Sequence, residues 1–445
     1  MIISQILFLI LLVWVFKEAV KRYGKVIRNI RLGRNDEPLN NKGGFRRMLL
    51  VAFGQQKMFK RPLPAILHLF IYVAFIITQF DLLEQIIDGI TGSHRILSHY
   101  LGGLYSFMIS FIELLSVFAF IATIAFLSRR NLLRIPRFTS KDLAGWARID
   151  ANLILIGEIL LLTGIFCLNG ADKALETKFP NEYPSTGFFL ITGWLGPLLF
   201  GGMPEFFLHV ISGFGWWLHV LVVFGFILYL PGSKHLHILL AFPNTYLSSD
   251  NPRGRMINIE SIENEVKNMM EIPLNHAPKE TLADFGVHDI FQLTQKNLLD
   301  AYSCTECGRC TAVCPANLTG KKLSPRKIMM NVRDRMEEVG CKLDDPNFSS
   351  MNGEIDNKIG FNDGRDLFNY IEKEEIRACT TCNACVEACP VLINPLEIIL
   401  QLRRYEILTQ SSGPPDWVPM YTALENNGSP WQMTIERDDW IKELN

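Results

Sequence analysis

The chain has 445 residues, 49% of them hydrophobic, and a mean hydropathy of +0.16. That composition excludes a disordered or collagen-like chain, and 44 basic against 45 acidic side chains argue against a coat for nucleic acid. The balance conceals a division, because residues 1–244 hold 23 Lys and Arg against 14 Asp and Glu, while the remainder holds 21 against 31. Two environments share one polypeptide, and its length allows two or three domains.

A bilayer core of about 30 Å requires roughly 20 apolar residues per helix. Ile2–Phe16, Leu63–Ile87, Leu101–Leu127, Trp146–Leu168 and Phe206–Leu230 meet or approach that length. The first is short enough to resemble a secretory signal. No basic residue precedes it and no small-residue cleavage site follows it, whereas Lys17, Lys21, Arg22 and Lys25 do, so it reads as an uncleaved anchor. Orientation comes from the loops, since Lys and Arg stay on the cytoplasmic side. Residues 17–61 hold 13 basic residues against three acids and residues 128–148 hold six against one, while the alternate loops are acidic. Five crossings then place the N-terminus outside and everything after Leu230 in the cytoplasm. A sixth apolar piece, Thr186 to Gly202, carries Gly193, Gly196, Pro197, Gly201 and Gly202 and is marginal in length, so it is expected to pack at the outer surface without crossing.

After Pro243 the composition is that of a soluble protein. The expected division is a membrane domain over 1–243, a connector with a short helix over 244–295, a helical two-cluster domain over 296–410 with a polar insert near Asp344–Gly364, and a tail over 411–445. The fold class is all-α: a five-helix transmembrane bundle followed by an α-helical ferredoxin domain.

Eight of the ten cysteines fall into two runs, Cys304-x2-Cys307-x2-Cys310-x3-Cys314-Pro and Cys379-x2-Cys382-x2-Cys385-x3-Cys389-Pro. This is the spacing by which thiolates hold 4Fe-4S clusters, three close ligands wrapping one cube and the fourth reaching the other. Cluster one is expected to take Cys304, Cys307, Cys310 and Cys389, and cluster two Cys379, Cys382, Cys385 and Cys314. A pair of zinc sites is the bland alternative, but two complete runs favour clusters. The 64 residues between Cys314 and Cys379 exceed a minimal ferredoxin and argue for a helical version. Cys167 and Cys341 stand alone and read as a buried apolar residue or a free thiol.

Imidazole within hydrocarbon is costly without a partner, so His68, His219 and His237 are read together as haem ligands. His219 and His237 lie 18 residues apart, five turns of an uninterrupted helix, with His235 facing roughly opposite and Pro231 bending the register. His68 pairs with His237 near the cytoplasm. For His219, His99 and His209 are the candidate partners, and Thr78 occupies the position where one is convenient. His94 and His276 read as exposed loop residues. Glu113, Asp150 and Glu158 either relay protons to a quinone or pair with Arg148 and backbone groups, and Trp216–Trp217 pack against lipid or haem. No nucleotide-binding or hydrolytic motif is evident.

The segment from His219 to His237, with its Pro and its Ser followed by a basic residue, resembles the ligand helix of the cytochrome b subunit of respiratory nitrate reductases. With Ser233-Lys-His-Leu-His237, Ala241-Phe-Pro-Asn244, Cys314-Pro-Ala-Asn, Leu323-Ser-Pro-Arg326 and Glu425-Asn-Asn-Gly-Ser-Pro-Trp431, the chain resembles more closely the heterodisulfide-reductase-related membrane iron-sulfur proteins, particularly electron-transfer-flavoprotein:menaquinone oxidoreductases. The resemblance implies His68 and His237 on a cytoplasmic-side haem b and His219 on an outer one. The nitrate reductase pattern has a His where this chain has Thr78, which leaves the count at one haem or two. It also implies menaquinone as substrate, residence in a bacterial inner membrane, and an electron-transfer flavoprotein as partner. Many relatives continue into CCG domains after the Gly-Ser-Pro-Trp region, so a separate CCG-domain subunit docking on residues 411–445 is expected. A quinol-oxidising anchor of another reductase and a non-catalytic redox sensor or assembly factor are the rival readings.

Overall fold

The computed structural model describes residues 2–35, 42–133, 135–252, 254–273, 285–345, 361–431 and 438–442. His276 and most of the polar insert near Asp344–Gly364 lie outside them. Among the described residues every regular element is helical, and one isolated bridge joins Arg34 to Thr294.

Five helices are long and apolar enough to cross a membrane. These are α1 (Ile2–Arg31), the pair α2 (Pro62–Ile77) and α3 (Gln79–Thr91), α4 (Gly103–Asn131), α5 (Trp146–Lys178) and, after the short α6 (Thr192–Phe200), α7 (Glu205–Tyr229). Their outward faces carry exposed Ile6, Ile10, Phe107, Ile121, Phe207 and Leu221, the surface a lipid phase covers. Helices α5 and α7 pack closely at two glycines. A Cβ on Gly164 meets the Gly215 carbonyl at 2.9 Å, and one on Gly215 meets the Leu168 amide nitrogen at 2.5 Å, so only glycine lets these backbones approach.

The piece at Thr186–Gly202 contains only α6, a nine-residue helix of about 14 Å, too short to cross. Glu113 of α4 fixes its start, accepting from the backbone amides of Ile191 (2.8 Å) and Thr192 (3.2 Å) and from the Thr192 hydroxyl. Nearby, buried Arg95 donates to Asp172 (2.7 Å) and Asn169 (2.6 Å), while Tyr105 donates to Glu84 (2.8 Å). Polar groups at this end of the bundle are therefore satisfied in pairs.

The bend expected at Pro231 between His219 and His237 is a full break in the helix. Helix α7 ends at Tyr229 because Pro231 lacks an amide proton, two 3-10 turns follow at Leu230–Gly232 and Lys234–Leu236, and α8 (His237–Tyr246) begins at His237 itself.

The soluble half is built on α9 (Gln295–Ser303), α10 (Pro325–Leu343) and α11 (Pro395–Arg404). Its core joins Leu298, Ile328, Val332, Met336, Ile398 and Leu402, and Val26, Leu32 and Leu236 from the membrane half belong to the same cluster. At 30 residues α1 is about 45 Å long, more than a bilayer core of about 30 Å, and its last turns enter this core. Asn29 donates to Tyr302 (3.0 Å), and Lys25 (2.8 Å) and Arg28 pair with Asp344. The two halves are thus packed as one body. After α11 the described part of the tail holds α12 (Trp417–Asn427), in which only Ala423 is buried.

Candidate functional site

Each cysteine run leaves a helix and turns back on itself. The first follows α9, which starts at a capping box of Thr294 and Asn297, and the second follows the short helix Lys373–Arg377. Both runs place left-handed residues two and four positions after their first cysteine, Glu306 and Gly308 in one, Thr381 and Asn383 in the other. Successive turns of this kind aim backbone amides inward, and the Thr381 and Ile393 amides donate to the sulfurs of Cys379 (3.4 Å) and Cys389 (3.3 Å).

Two hollows result. Cys304, Cys307, Cys310 and Cys389 line the first, together with Met329 and Ile393; Cys314, Cys379 and Cys382 line the second with Leu396 and Ile399, and Cys385 reaches both. The structure therefore brings the fourth cysteine of each run to the other run's hollow. Among the described residues no three His, Cys, Asp or Glu stand close enough to share one metal ion. Four thiols spread around a hollow suit a cube of iron and sulfide, whereas zinc draws its thiolates to about 2.3 Å from a single centre. Burial pushes the Cys304 and Cys385 thiols up to about 12 and Cys389 to about 11. Cys382 is exposed, so the second hollow reaches the surface.

The first hollow is tied to the membrane half. Glu306, inside the first run and 4% exposed, accepts from Lys234 (2.6 Å) and Arg333 (2.7 Å). Burial opposes its charge, yet Arg333 and Lys234 outweigh that and hold its carboxyl below the ordinary value. Lys234 also donates to the Ala147 carbonyl (2.5 Å), and its neighbour Ser233 donates to Asp150 (2.7 Å). Asn244 of α8 donates to the Val391 carbonyl (2.9 Å), two residues past Cys389.

Three histidines share one arrangement. The Nδ1–H of His68 donates to Gln55 Oε1 (3.1 Å), that of His219 to the Leu161 carbonyl (3.4 Å) and that of His237 to the Lys234 carbonyl (3.1 Å). Each acceptor fixes the tautomer that leaves Nε2 with a lone pair for a metal. His68 lies within electrostatic reach of His237, and the rings of His235 and His237 are 5.5 Å apart, so His235 stands beside His237 and does not face away from it.

The proposed partners of His219 are elsewhere. His209 spends its Nε2 on the Tyr183 hydroxyl (2.7 Å) and sits on the same helix as His219, about 15 Å away. His99 is exposed beside Tyr100. The ionisable group whose field reaches His219 is buried Asp81. Thr78 marks the junction of α2 and α3. His94, an exposed residue as expected, nonetheless bonds Asp172 at 3.0 Å.

Other polar residues separate in the same way. Glu113 is taken by α6, and Asp150 by Tyr229, Ser233 and Lys234 and not by Arg148. Glu158, half-buried in α5, has no hydrogen-bond partner among the described residues. Trp216 packs against Trp217 at 5.0 Å and against Phe8 of α1 at 5.4 Å. Cys167 is half-buried in α5 and Cys341 is an exposed free thiol. Sequence reading missed Gln55 and the Lys234–Glu306 pair. The signal available was a Glu inside a cysteine run and a Lys inside the histidine segment.

Comparison with known proteins agrees with this chemistry. Residues 303–393 match a family described as a 4Fe-4S dicluster domain, and residues 267–319 match a second of the same description. The chain is 28% identical over 418 residues to the probable iron-sulfur-binding oxidoreductase FadF of Bacillus subtilis, covering 88% of this chain and 54% of that one. It is 26% identical over 411 residues to the EtfAB:quinone oxidoreductase of Syntrophomonas wolfei, covering 88% and 53%. A probable membrane-anchored ferredoxin of Chromohalobacter salexigens is 31% identical over 138 residues, 30% of this chain and 20% of that one. The chain spans about half the length of the first two relatives. No solved structure matches it. The chain is thus similar over most of its length to an iron-sulfur-binding oxidoreductase and to an EtfAB:quinone oxidoreductase, with a 4Fe-4S dicluster region behind five apolar helices.

Proposed function

We propose that this chain is the membrane-bound electron-transfer subunit of an oxidoreductase complex, linking a redox protein on the cytoplasmic side to the menaquinone pool. Cys304, Cys307, Cys310 and Cys389 hold one 4Fe-4S cluster, and Cys379, Cys382, Cys385 and Cys314 the other. His68 and His237 hold haem b through their free Nε2 atoms. When bound, these groups supply one-electron carriage.

The observation that carries the reading is the segment Ser233–His237. Lys234 grips the first cysteine run through Glu306 with its ammonium and fixes the His237 tautomer with its carbonyl. One residue thus positions both candidate centres. The exposed Cys382 makes the second hollow the side that meets a partner, in keeping with a relative named for EtfAB and quinone. An electron-transfer flavoprotein and a separate CCG-domain subunit are the partners proposed. Among the described residues Glu158 is an intramembrane carboxyl without a hydrogen-bond partner, and in this reading it exchanges a proton with quinone. The basic loops put the N-terminus outside and the cysteine runs in the cytoplasm of a bacterium.

The test is the complex purified from membranes. Metal analysis of the chain resolved from its partners should return about eight cluster irons with the haem iron in addition, and a menaquinol analogue should produce a b-type absorption band. Zinc in place of iron refutes the cluster assignment. Absence of a b-type band after dithionite refutes the haem assignment.

A further inference from the structure

A cavity of about 600 Å³ lies where α2 and α4 meet the soluble half. Lys60 and Arg61, just before α2, form part of its wall, with Leu63 of α2, Arg129 from the last turn of α4, Arg137 from the following loop, and Ala312 of the first cysteine run. Glu387 engages Lys60. Among the described residues Arg61, Arg129 and Arg137 pair with no carboxylate, and Arg137 Nη1 is buried without a hydrogen-bond partner. Burial and the field of Arg61 push the Arg137 guanidinium down to about 10. Several cations lining one space repel one another unless an anion occupies it.

The surroundings say which anion. Leu63, 61% exposed, stands at the start of the α2 span, and Leu132 and Leu133, 75% and 66% exposed, follow α4 on the same side. A cationic mouth above an apolar flank matches a molecule with a phosphate at one end and hydrocarbon at the other, and basic pockets between membrane helices on the cytoplasmic side are where such headgroups are held. We propose that this cavity binds the phosphate of an anionic phospholipid, with Arg61, Arg129 and Arg137 as the clamp and the acyl chains running down α2 and α4. Arg137 also accepts at its carbonyl from Arg326 (2.9 Å), which in turn binds Asp142 (2.7 Å), so a seated lipid braces the soluble half against the membrane. The inference stands apart from the electron-transfer reading, since neither haem nor quinone enters it.

The experiment uses the full chain in detergent, stripped of lipid and then offered phosphatidylglycerol, phosphatidylcholine or inorganic phosphate, with retained lipid counted by native mass spectrometry and iron content measured on the same sample. Parent protein should retain phosphatidylglycerol at least tenfold over phosphatidylcholine, and Arg61→Gln/Arg129→Gln/Arg137→Gln should lose that preference with iron unchanged. Arg129→Gln alone, the mildest change, should weaken the preference about threefold and tests the site if the triple variant loses iron. Equal retention of the two lipids overturns the proposal, as does a preference untouched by Arg129→Gln. Displacement of the lipid by millimolar inorganic phosphate also overturns it, since the cavity is then a free-anion site.

Discussion

Replacing Lys234 by Met tests the junction between the two halves. Lys234 and Glu306 are 6% and 3% exposed at their side chains and 2.6 Å apart. Removing one partner of a buried pair costs about 3–5 kcal/mol because the other charge is left without compensation. Arg333 still reaches Glu306 at 2.7 Å, which places the loss near the lower end, about 3 kcal/mol. The double variant Lys234→Met/Glu306→Gln removes the stranded charge, so it should cost at least about 1 kcal/mol less than the sum of the two single changes. Denaturation of the detergent-solubilised protein, followed by cluster absorption, measures all four species. If Lys234→Met lies within about 0.5 kcal/mol of the parent, in the range of an ordinary surface change, the pair does not join the halves. Strict additivity of the single changes sinks the coupling argument even if each is costly.

Cys314→Ser and Cys382→Ser should share one electron-paramagnetic-resonance phenotype, and Cys389→Ser and Cys307→Ser the other, each pair retaining about four of eight irons. A phenotype that instead groups Cys314 with Cys307 refutes crosswise ligation. His237→Ala should abolish the cytoplasmic-side haem, and Gln55→Leu, which releases the His68 ring, should weaken affinity for that haem about 10–100-fold with iron-sulfur content unchanged. Normal haem in His237→Ala assigns the iron to another residue. Arg335, fully buried, holds Asp289 (2.6 Å) and Asp363 (2.7 Å), and this contact with Lys342 keeps the Asp363 carboxyl well below its ordinary range against the opposing effect of burial. A depressed carboxyl stabilises fully above its unfolded value of about 3.9 and loses that contribution as pH falls through its lower folded value. Hydrogen-exchange protection in residues 325–343, corrected for the intrinsic pH dependence of amide exchange, should therefore fall on acidification below about pH 4, and Asp363→Asn should flatten that fall. An identical profile in the variant excludes the pair as its source.

The fold was legible where long-range physics imposes long-range pattern. Five apolar runs announce five helices because every backbone group in lipid must bond within its own segment. Their ends were less legible. Ile2–Phe16 reads as a short span because hydropathy stops at Lys17, yet the helix runs on to Arg31, its polar turns stabilised by Tyr302, Asp344 and the core around Val26. The histidine spacing misled for a local reason, as Pro231 ends α7 and restarts the count at His237. In the cysteine runs the ligand spacing is local and therefore readable. That Glu306 inside one run meets Lys234, 72 residues away, depends on tertiary packing and leaves no periodic trace.

Those failures converge on a single segment. Had α7 continued unbroken, Lys234 would project from a helix flank and its carbonyl would be committed to an intrahelical bond. The break at Pro231–Gly232 frees that carbonyl to accept from His237, while the following 3-10 turn, begun by the Ser233 side chain accepting from the His235 amide, turns the ammonium towards Glu306. Asp150 anchors the turn through Ser233 and Tyr229. The first cysteine run and the ring of His237 are thus joined through two bonds of one residue. The same proline that spoils the periodicity creates a geometry in which one side chain and its own carbonyl serve the soluble and membrane halves together.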